Sequence, residues 1–370
     1  MTIFRFIEMK ISIIAGARPN FMKIAPLMRA AKASVEAGNH ISLRLIYTGN
    51  VNDESIEPSL FHDLDMPAPD VYLHADSTDF FHRFSEIMLR FSEELNEHPA
   101  DVVLVVDDLT PTMACSFVAR KKGVRIAHLV AGTHSFDFNR PKELNKVITD
   151  ALSDILFTAG MNANRNLSQT GKQQKDVYFV GNILIDTLRH NRERWRKPAC
   201  LDSFESVDNG YVLLTMNRHA IVDDVDFLRK LVGVLLSKVK VPIIAPVHAY
   251  VAEKLHSLCN EESALHILPP LDYLSFAYLE GHAKAIITDS GNIAEEATFL
   301  GIPCITLNEV AAHPETVSLG TNLLVGYDMN KLHEALGQLN EGTWKNSSIP
   351  ERWDGHTAER IIQILLDQQK

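Results

Sequence analysis

The chain is short of cysteine, of positive charge and of long apolar runs. Its 370 residues hold four cysteines, Cys115, Cys200, Cys259 and Cys304, and no two of them form a CxxC pair. That spacing argues against a disulfide framework or a thiolate zinc site and suits reduced, mostly buried thiols in a cytoplasmic protein. No apolar run reaches the roughly 18 residues that a membrane-spanning helix needs. Lys and Arg number 36 against 47 Asp and Glu, a formal net charge of −11. A nucleic-acid binder normally presents a basic face, so that class is disfavoured, and an anionic ligand must be met by a few locally gathered cations. No His, Asp or Glu cluster has metal-ligand spacing, so no metal is implied. The opening MTIFRFIE lacks the apolar core and small-residue cleavage site of a secretory signal. Met9 begins MKISIIAG, which reads as a first strand, and residues 1–8 read as an upstream extension.

What is present is alternation. Short, largely apolar runs at 10–15, 102–106, 124–130, 155–159 and 177–180, of which 102–106 is wholly apolar, read as buried strands, separated by amphipathic helical stretches such as 80–96 and 143–152. Residues 197–210 carry turn formers and little periodicity. The alternation then restarts at 211–215, 242–246, 285–287 and 303–307, and a last helix runs over about 357–368. Continuous apolar strands between helices imply parallel sheets covered on both faces. The expected fold is therefore α/β, with two doubly wound Rossmann-like domains facing a cleft: 1–195, a linker over 196–209, and 210–355. Residues 356–370 are expected as a C-terminal helix packing back towards the first domain.

In such sheets ligands bind beyond the carboxyl ends of the strands. The loop Thr288-Asp289-Ser290-Gly291-Asn292 leads from a strand into a helix bearing Glu295 and Glu296. Small residues at a helix start aim free N–H groups and the positive dipole end at one spot, which suits a phosphate. A carboxylate one turn further on suits a ribose diol, because ionised carboxylates only accept. Ordinary helix capping accounts for the same spacing. Arg18 and Lys23 flank another helix start, and an arginine there opposes the helix dipole unless it meets an anion. Asp107 and Asp108 end the 102–106 strand, where Asp108 reads as an N-cap or as an acid–base group. Arg218, His248 and His313 lie in other strand-end loops.

Taken together, GARPNFMKIAPL, VGNILIDTL, DSGNIAEEA and HPETVSLGTN make the chain resemble the non-hydrolysing UDP-N-acetylglucosamine 2-epimerases, from about Lys10 to the last helix. The resemblance implies the two-domain glycosyltransferase-B architecture, a UDP-N-acetylhexosamine in the cleft, no cofactor, and a cytoplasmic homodimer serving envelope polysaccharide synthesis. It implies that Ser290, Gly291 and Asn292 hold the phosphates and Glu296 the ribose. Arg18 and Lys23 would assist at the phosphate and sugar, with Arg218, His248 and His313 lining the cleft.

The implied isomerase reaction removes the C2 proton, expels UDP to give a 2-acetamidoglucal, and adds UDP back with inversion at C2. Several positions depart from the family pattern. His-Gly-Asp is here Val106-Asp107-Asp108, and the Glu of Val-Glu-Ala-Gly is Val130. The first Glu of Pro-Glu-Glu is Lys142, the following Arg is Lys146, the His of a His-Arg pair is Asn217, and Leu-Arg after the glycine is Thr133-His134. Val130 cannot take a proton, and Asn217 cannot act as a general base. Asp108, Glu143 and Lys142 are the remaining acid–base candidates, and the binding half of the site is retained. Two alternatives follow: a catalytically degenerate UDP-sugar-binding regulator, or a glycosyltransferase on the same architecture.

Overall fold

The computed structural model describes residues 8–203, 210–259 and 264–368. It divides into two compact units, residues 1–190 with 351–370 and residues 191–350. Residues 1–7 of the expected extension over 1–8, and residues 204–209 of the non-periodic stretch 197–210, lie outside the described residues.

The first unit carries seven strands: β1 (Met9–Ala15), β2 (Ile41–Tyr47), β3 (Val71–Tyr72), β4 (Val102–Val106), β5 (Arg125–Leu129), β6 (Ile155–Thr158) and β7 (Val177–Phe179). They form one parallel sheet in the order β3-β2-β1-β4-β5-β6-β7. β4 is buried along its whole length, which is why its sequence is apolar without alternation. The order reverses beside β1, and β1 and β4 are the strands whose loops diverge there to leave room for a ligand.

The second unit repeats the plan with β8 (Val212–Thr215), β9 (Ile243–Pro246), β10 (Leu265–Leu268), β11 (Ala285–Thr288), β12 (Cys304–Thr306) and β13 (Asn322–Leu324). Its parallel order is β10-β9-β8-β11-β12-β13, with the switch between β8 and β11. Leu214, Ala245, Ile287 and Ile305 from four of these strands share one core with Leu231 and Leu235 of the helix Val225–Lys238.

The division falls at His190/Asn191 and Pro350/Glu351. Leu201, inside the stretch that reads as linker, is buried in the core of the second unit with Tyr211 and Leu279. The chain from 351 onwards is held in the first unit by specific contacts. Trp353 is 1% exposed and its Nε1 donates to Ala159 O at 2.9 Å. Asp186 Oδ2 accepts from Ala358 N–H at 2.7 Å, at the first turn of the helix Thr357–Asp367. Burial pushes the Asp186 carboxyl up to about 6, although the N–H donors of Ala358 and Thr357 favour its charged form.

Gly181 is the tightest point of this return. Its φ is 102°, and a Cβ there would meet Arg352 O at 2.0 Å. Gly181→Ala is expected to cost about 3 kcal/mol or more, from left-handed strain together with the backbone clash. Gly123→Ala has a comparable φ of 75° and nothing within 4 Å, and should cost about 1 kcal/mol. Urea unfolding of the two variants side by side separates steric cost from conformational cost. Equal losses would show that the approach to Arg352 contributes nothing.

Candidate functional site

In the first unit, the loops after β1, β4 and β5 bring together most of the charged side chains singled out in the sequence. Asn20 caps the turn into the helix Arg18–Glu36, its Oδ1 accepting from Gly16 N–H at 2.8 Å. Its Nδ2 donates to Asp107 Oδ2 at 2.8 Å, and Lys23 Nζ pairs with Asp107 Oδ1. Lys23 is nearly buried in this pair. Arg18 does not stand open to an anion: its guanidinium grips Glu57 with Nε–Oε2 at 2.6 Å and Nη2–Oε1 at 2.5 Å. Such bidentate pairs are the strong form of the arginine–carboxylate contact.

Asp108 lies between two lysines of the next loop, with Lys142 Nζ at 3.2 Å and Lys146 Nζ at 3.7 Å from its carboxylate oxygens. Lys142 is largely exposed, whereas Lys146 is mostly covered and also donates to Thr133 O at 2.9 Å. Glu143 is placed differently from its neighbours. Its carboxylate accepts from Ser135 Oγ at 2.7 Å, Phe136 N–H at 2.9 Å and Ser135 N–H at 3.0 Å, and it is 1% exposed. Burial alone would push its pKa up, but those donors and the Lys146 charge hold it below the ordinary glutamate value. A carboxylate so engaged shapes the 131–142 loop and has little capacity left for proton transfer.

Beneath these loops runs a buried polar chain that the sequence did not disclose. His128 Nε2 hydrogen-bonds Asp107 O at 2.8 Å, and its Nδ1 meets Asp150 Oδ1 at 2.5 Å. Asp150 Oδ2 accepts from Gly132 N–H at 2.9 Å and lies 2.8 Å from His134 Nε2. Burial disfavours the charged forms of both groups, yet their mutual attraction wins. It raises the His128 pKa above its ordinary value and depresses that of Asp150.

Val130 closes β5 one residue earlier than its apolar sequence suggests. Its φ is 69°, a left-handed conformation that β-branched residues rarely adopt, and the ladder ends at Leu129. A strained valine in a strand-end loop marks a backbone shaped for something other than valine.

In the second unit the organising group is Asp289. Its Oδ2 accepts from Asn217 N–H at 2.8 Å and Arg218 N–H at 2.7 Å, while its carbonyl accepts from Asn308 Nδ2 at 3.1 Å. One residue, through its carboxylate and its carbonyl, thus ties the loops after β8, β11 and β12. Asn217 and Arg218 keep exposed side chains, and Asn217 Oδ1 accepts from Tyr250 OH at 2.9 Å. Ser290 sits at the start of the helix Gly291–Leu300, its own N–H directed to Thr288 Oγ1 at 2.9 Å. A Cβ at Gly291 would enter open space, so the approach to the first-turn N–H groups is clear on that side. His248 is exposed at the start of the helix Ala249–His256. His313 is buried and its Nε2 lies 3.7 Å from Glu295 Oε1. Glu296 is buried and interacts with Glu280, which burial and the Glu296 carboxylate hold far above the ordinary glutamate pKa.

Asp289→Ala leaves two backbone donors without a partner and is expected to cost about 2–4 kcal/mol. Asp289→Asn keeps one oxygen acceptor and should lose less than half of that. Urea unfolding of both variants checks this, and equal losses would mean that the carboxylate does not act through those N–H groups.

Among the described residues no group of three His, Cys, Asp or Glu side chains is placed to hold a metal ion. Among the same residues no helix is long and apolar enough to cross a membrane.

Two parallel doubly wound units with charged strand-end loops define the glycosyltransferase-B class of nucleotide-sugar proteins. A family profile described as UDP-N-acetylglucosamine 2-epimerase matches residues 33–366. The UDP-N-acetylglucosamine 2-epimerase of Methanocaldococcus jannaschii is 32% identical over 96% of this chain and 99% of its own length. A crystal structure of the enzyme from that organism in complex with UDP-GlcNAc and UDP aligns at 31% identity and a TM-score of 0.83, covering 96% and 99% of the two chains. A UDP-2,3-diacetamido-2,3-dideoxy-D-glucuronate 2-epimerase of Pseudomonas aeruginosa is 29% identical over 93% of this chain and 99% of its own. The chain belongs to the UDP-N-acetylglucosamine 2-epimerase family.

Proposed function

We propose that the protein binds a UDP-N-acetylhexosamine and inverts its C2 centre by eliminating UDP and adding it back. The observation that carries this reading is the end-to-end match to a relative solved with UDP-GlcNAc and UDP, with 99% of that chain covered. The loops of the second unit suit the nucleotide. A Cβ at Gly291 would meet nothing within 4 Å, which leaves room for phosphate oxygens beside this helix start, and Asp289 fixes the backbone beside Arg218. Glu296 follows in the same helix, where an ionised carboxylate can accept from a ribose diol.

The first unit supplies the acid–base chemistry in this reading. Asp108 is the leading proton acceptor, because it is partly exposed and Glu143 is consumed by its loop. Lys142 sets the charge beside Asp108 and meets the leaving diphosphate. The form proposed for this activity, on the family resemblance, is a cytoplasmic homodimer. The degenerate-binder alternative has no observation of its own in its favour.

The test is proton NMR of the full-length protein with UDP-N-acetylglucosamine in D₂O. Deuterium appearing at C2, or a UDP-N-acetylmannosamine signal, is the expected result. Substrate that broadens on binding yet stays unlabelled would replace the epimerase reading with a binding role.

A further inference from the structure

We propose that Asp107 is a second acid–base carboxylate of the sugar site, held at the end of β4 beside the valine that ends β5. This rests on the epimerase reading above. Asp107 and Val130 each follow the last residue of their strand, and those strands are in register through Val106 and Leu129. Asp107 N–H also donates to Leu129 O at 3.1 Å. Both residues take the left-handed conformation, with φ of 61° and 69°. The two strand ends are therefore matched in backbone, and a carboxylate stands on one of them.

The chemistry asks for more than one proton-handling group, since C2 must lose a proton on one face and regain one on the other. Four acids cluster at these strand ends. Asp150 is enclosed by His128, His134 and Gly132 N–H, and Glu143 by Ser135 and Phe136. Asp108 and Asp107 remain. What separates Asp107 from Glu143 is exposure, its side chain being 15% exposed where Glu143 is 1% exposed. Asp107 is also better fixed than Asp108, since Asn20 Nδ2 and Lys23 Nζ hold the carboxylate and His128 holds its carbonyl. The polar chain from Asp150 through His128 thus ends on the backbone of this residue.

In the elimination, an Asp107 oxygen takes the C2 proton. The C2–H electron pair becomes the C1–C2 double bond, and the C1–O bond breaks with its pair leaving on UDP. In the re-addition UDP attacks C1, the C1–C2 double-bond pair takes a proton that Asp108 delivers to the other face of C2, and Asp107 gives its proton up to solvent.

The experiment is C2 deuterium exchange of UDP-N-acetylglucosamine by the full-length protein, with UDP affinity measured on the same samples. The variants are Asp107→Asn, Asp107→Gly and the exchange of side chains Asp107→Gly with Val130→Glu. Glycine suits the left-handed backbone and asparagine keeps the shape, so a folding defect in one leaves the other to read. Both single variants should lower exchange by about 100-fold or more, with UDP binding unchanged or tighter. The double variant should recover at least about tenfold over Asp107→Gly, because a carboxylate returns one strand away. Exchange within about threefold of the unaltered protein in both single variants, or a rise in either, would overturn the proposal and leave the epimerase reading standing. No exchange by the unaltered protein, despite UDP binding, would overturn both.

Discussion

Asp150→Ala is expected to destabilise the first unit by about 3–5 kcal/mol, the usual cost of removing one member of a buried ion pair. Asp150 is 2% exposed and no solvent is at hand to replace it as the partner of His128 and His134 or as acceptor for Gly132 N–H. The loss should reach the site, because His128 holds the Asp107 carbonyl. The pH dependence gives a second readout. His128 has its pKa raised in the folded state, so its contribution is fully present below the ordinary histidine value of about 6.5 and is lost as pH rises through the raised value. Asp150 has its pKa depressed, so its contribution is present above the ordinary aspartate value of about 3.9 and is lost as pH falls through the depressed value. Urea unfolding between about pH 5 and pH 9 should therefore show the unaltered protein losing stability on the alkaline side. In Asp150→Ala the buried imidazole prefers to be neutral, and that alkaline limb should vanish. An unchanged alkaline limb would sink the assignment of His128 as its source.

Asp108→Asn is expected to lower C2 exchange by about 10²–10⁴-fold while leaving UDP affinity nearly unchanged. Asparagine preserves the size and the acceptor oxygen but cannot take a proton. The separation of effects follows from the placement of the groups. Asp108 closes β4 in the first unit, whereas the helix start at Gly291 and the Asp289 bridge belong to the second. Lys142→Met should reduce exchange less, because Lys146 still lies 3.7 Å from Asp108. Deuterium incorporation together with UDP titration checks both variants. Equal losses of binding and exchange in Asp108→Asn would mean that Asp108 anchors substrate instead of handling its proton.

The elements that the sequence hid share a physical reason. β3 is two residues long, and β13 has three with only Asn322 buried, so neither offers a run to recognise. In β10 only Leu265 is buried, since the strand lies at the sheet edge. The helix Tyr273–His282 is apolar on most sides, which removes the 3.6-residue contrast that marks an amphipathic helix. The converse error occurs at Val130, where composition extends β5 but the left-handed backbone ends it.

At the site the same division holds. Asp108, Lys142, Ser290 and Glu296 stand out because they lie in strand-end loops that the apolar pattern locates. Asp289 was visible in DSGN, but its role as the bridge to Asn217 and Arg218 spans more than 70 positions.

Local periodicity and turn chemistry determined the two parallel sheets and the strand-end location of the charged groups, because burial on both faces writes a continuous apolar run, and the family was legible only as a resemblance of motifs such as DSGNIAEEA and HPETVSLGTN. Pairings across the chain had no such local trace. That Arg18 is taken by Glu57, Lys23 by Asp107 and Glu143 by its own loop was decided only by the tertiary structure. A charge in sequence has a type and a neighbourhood. Its partner depends on which loops the sheet order brings side by side, and that alone settles whether it is spent on structure or left for chemistry.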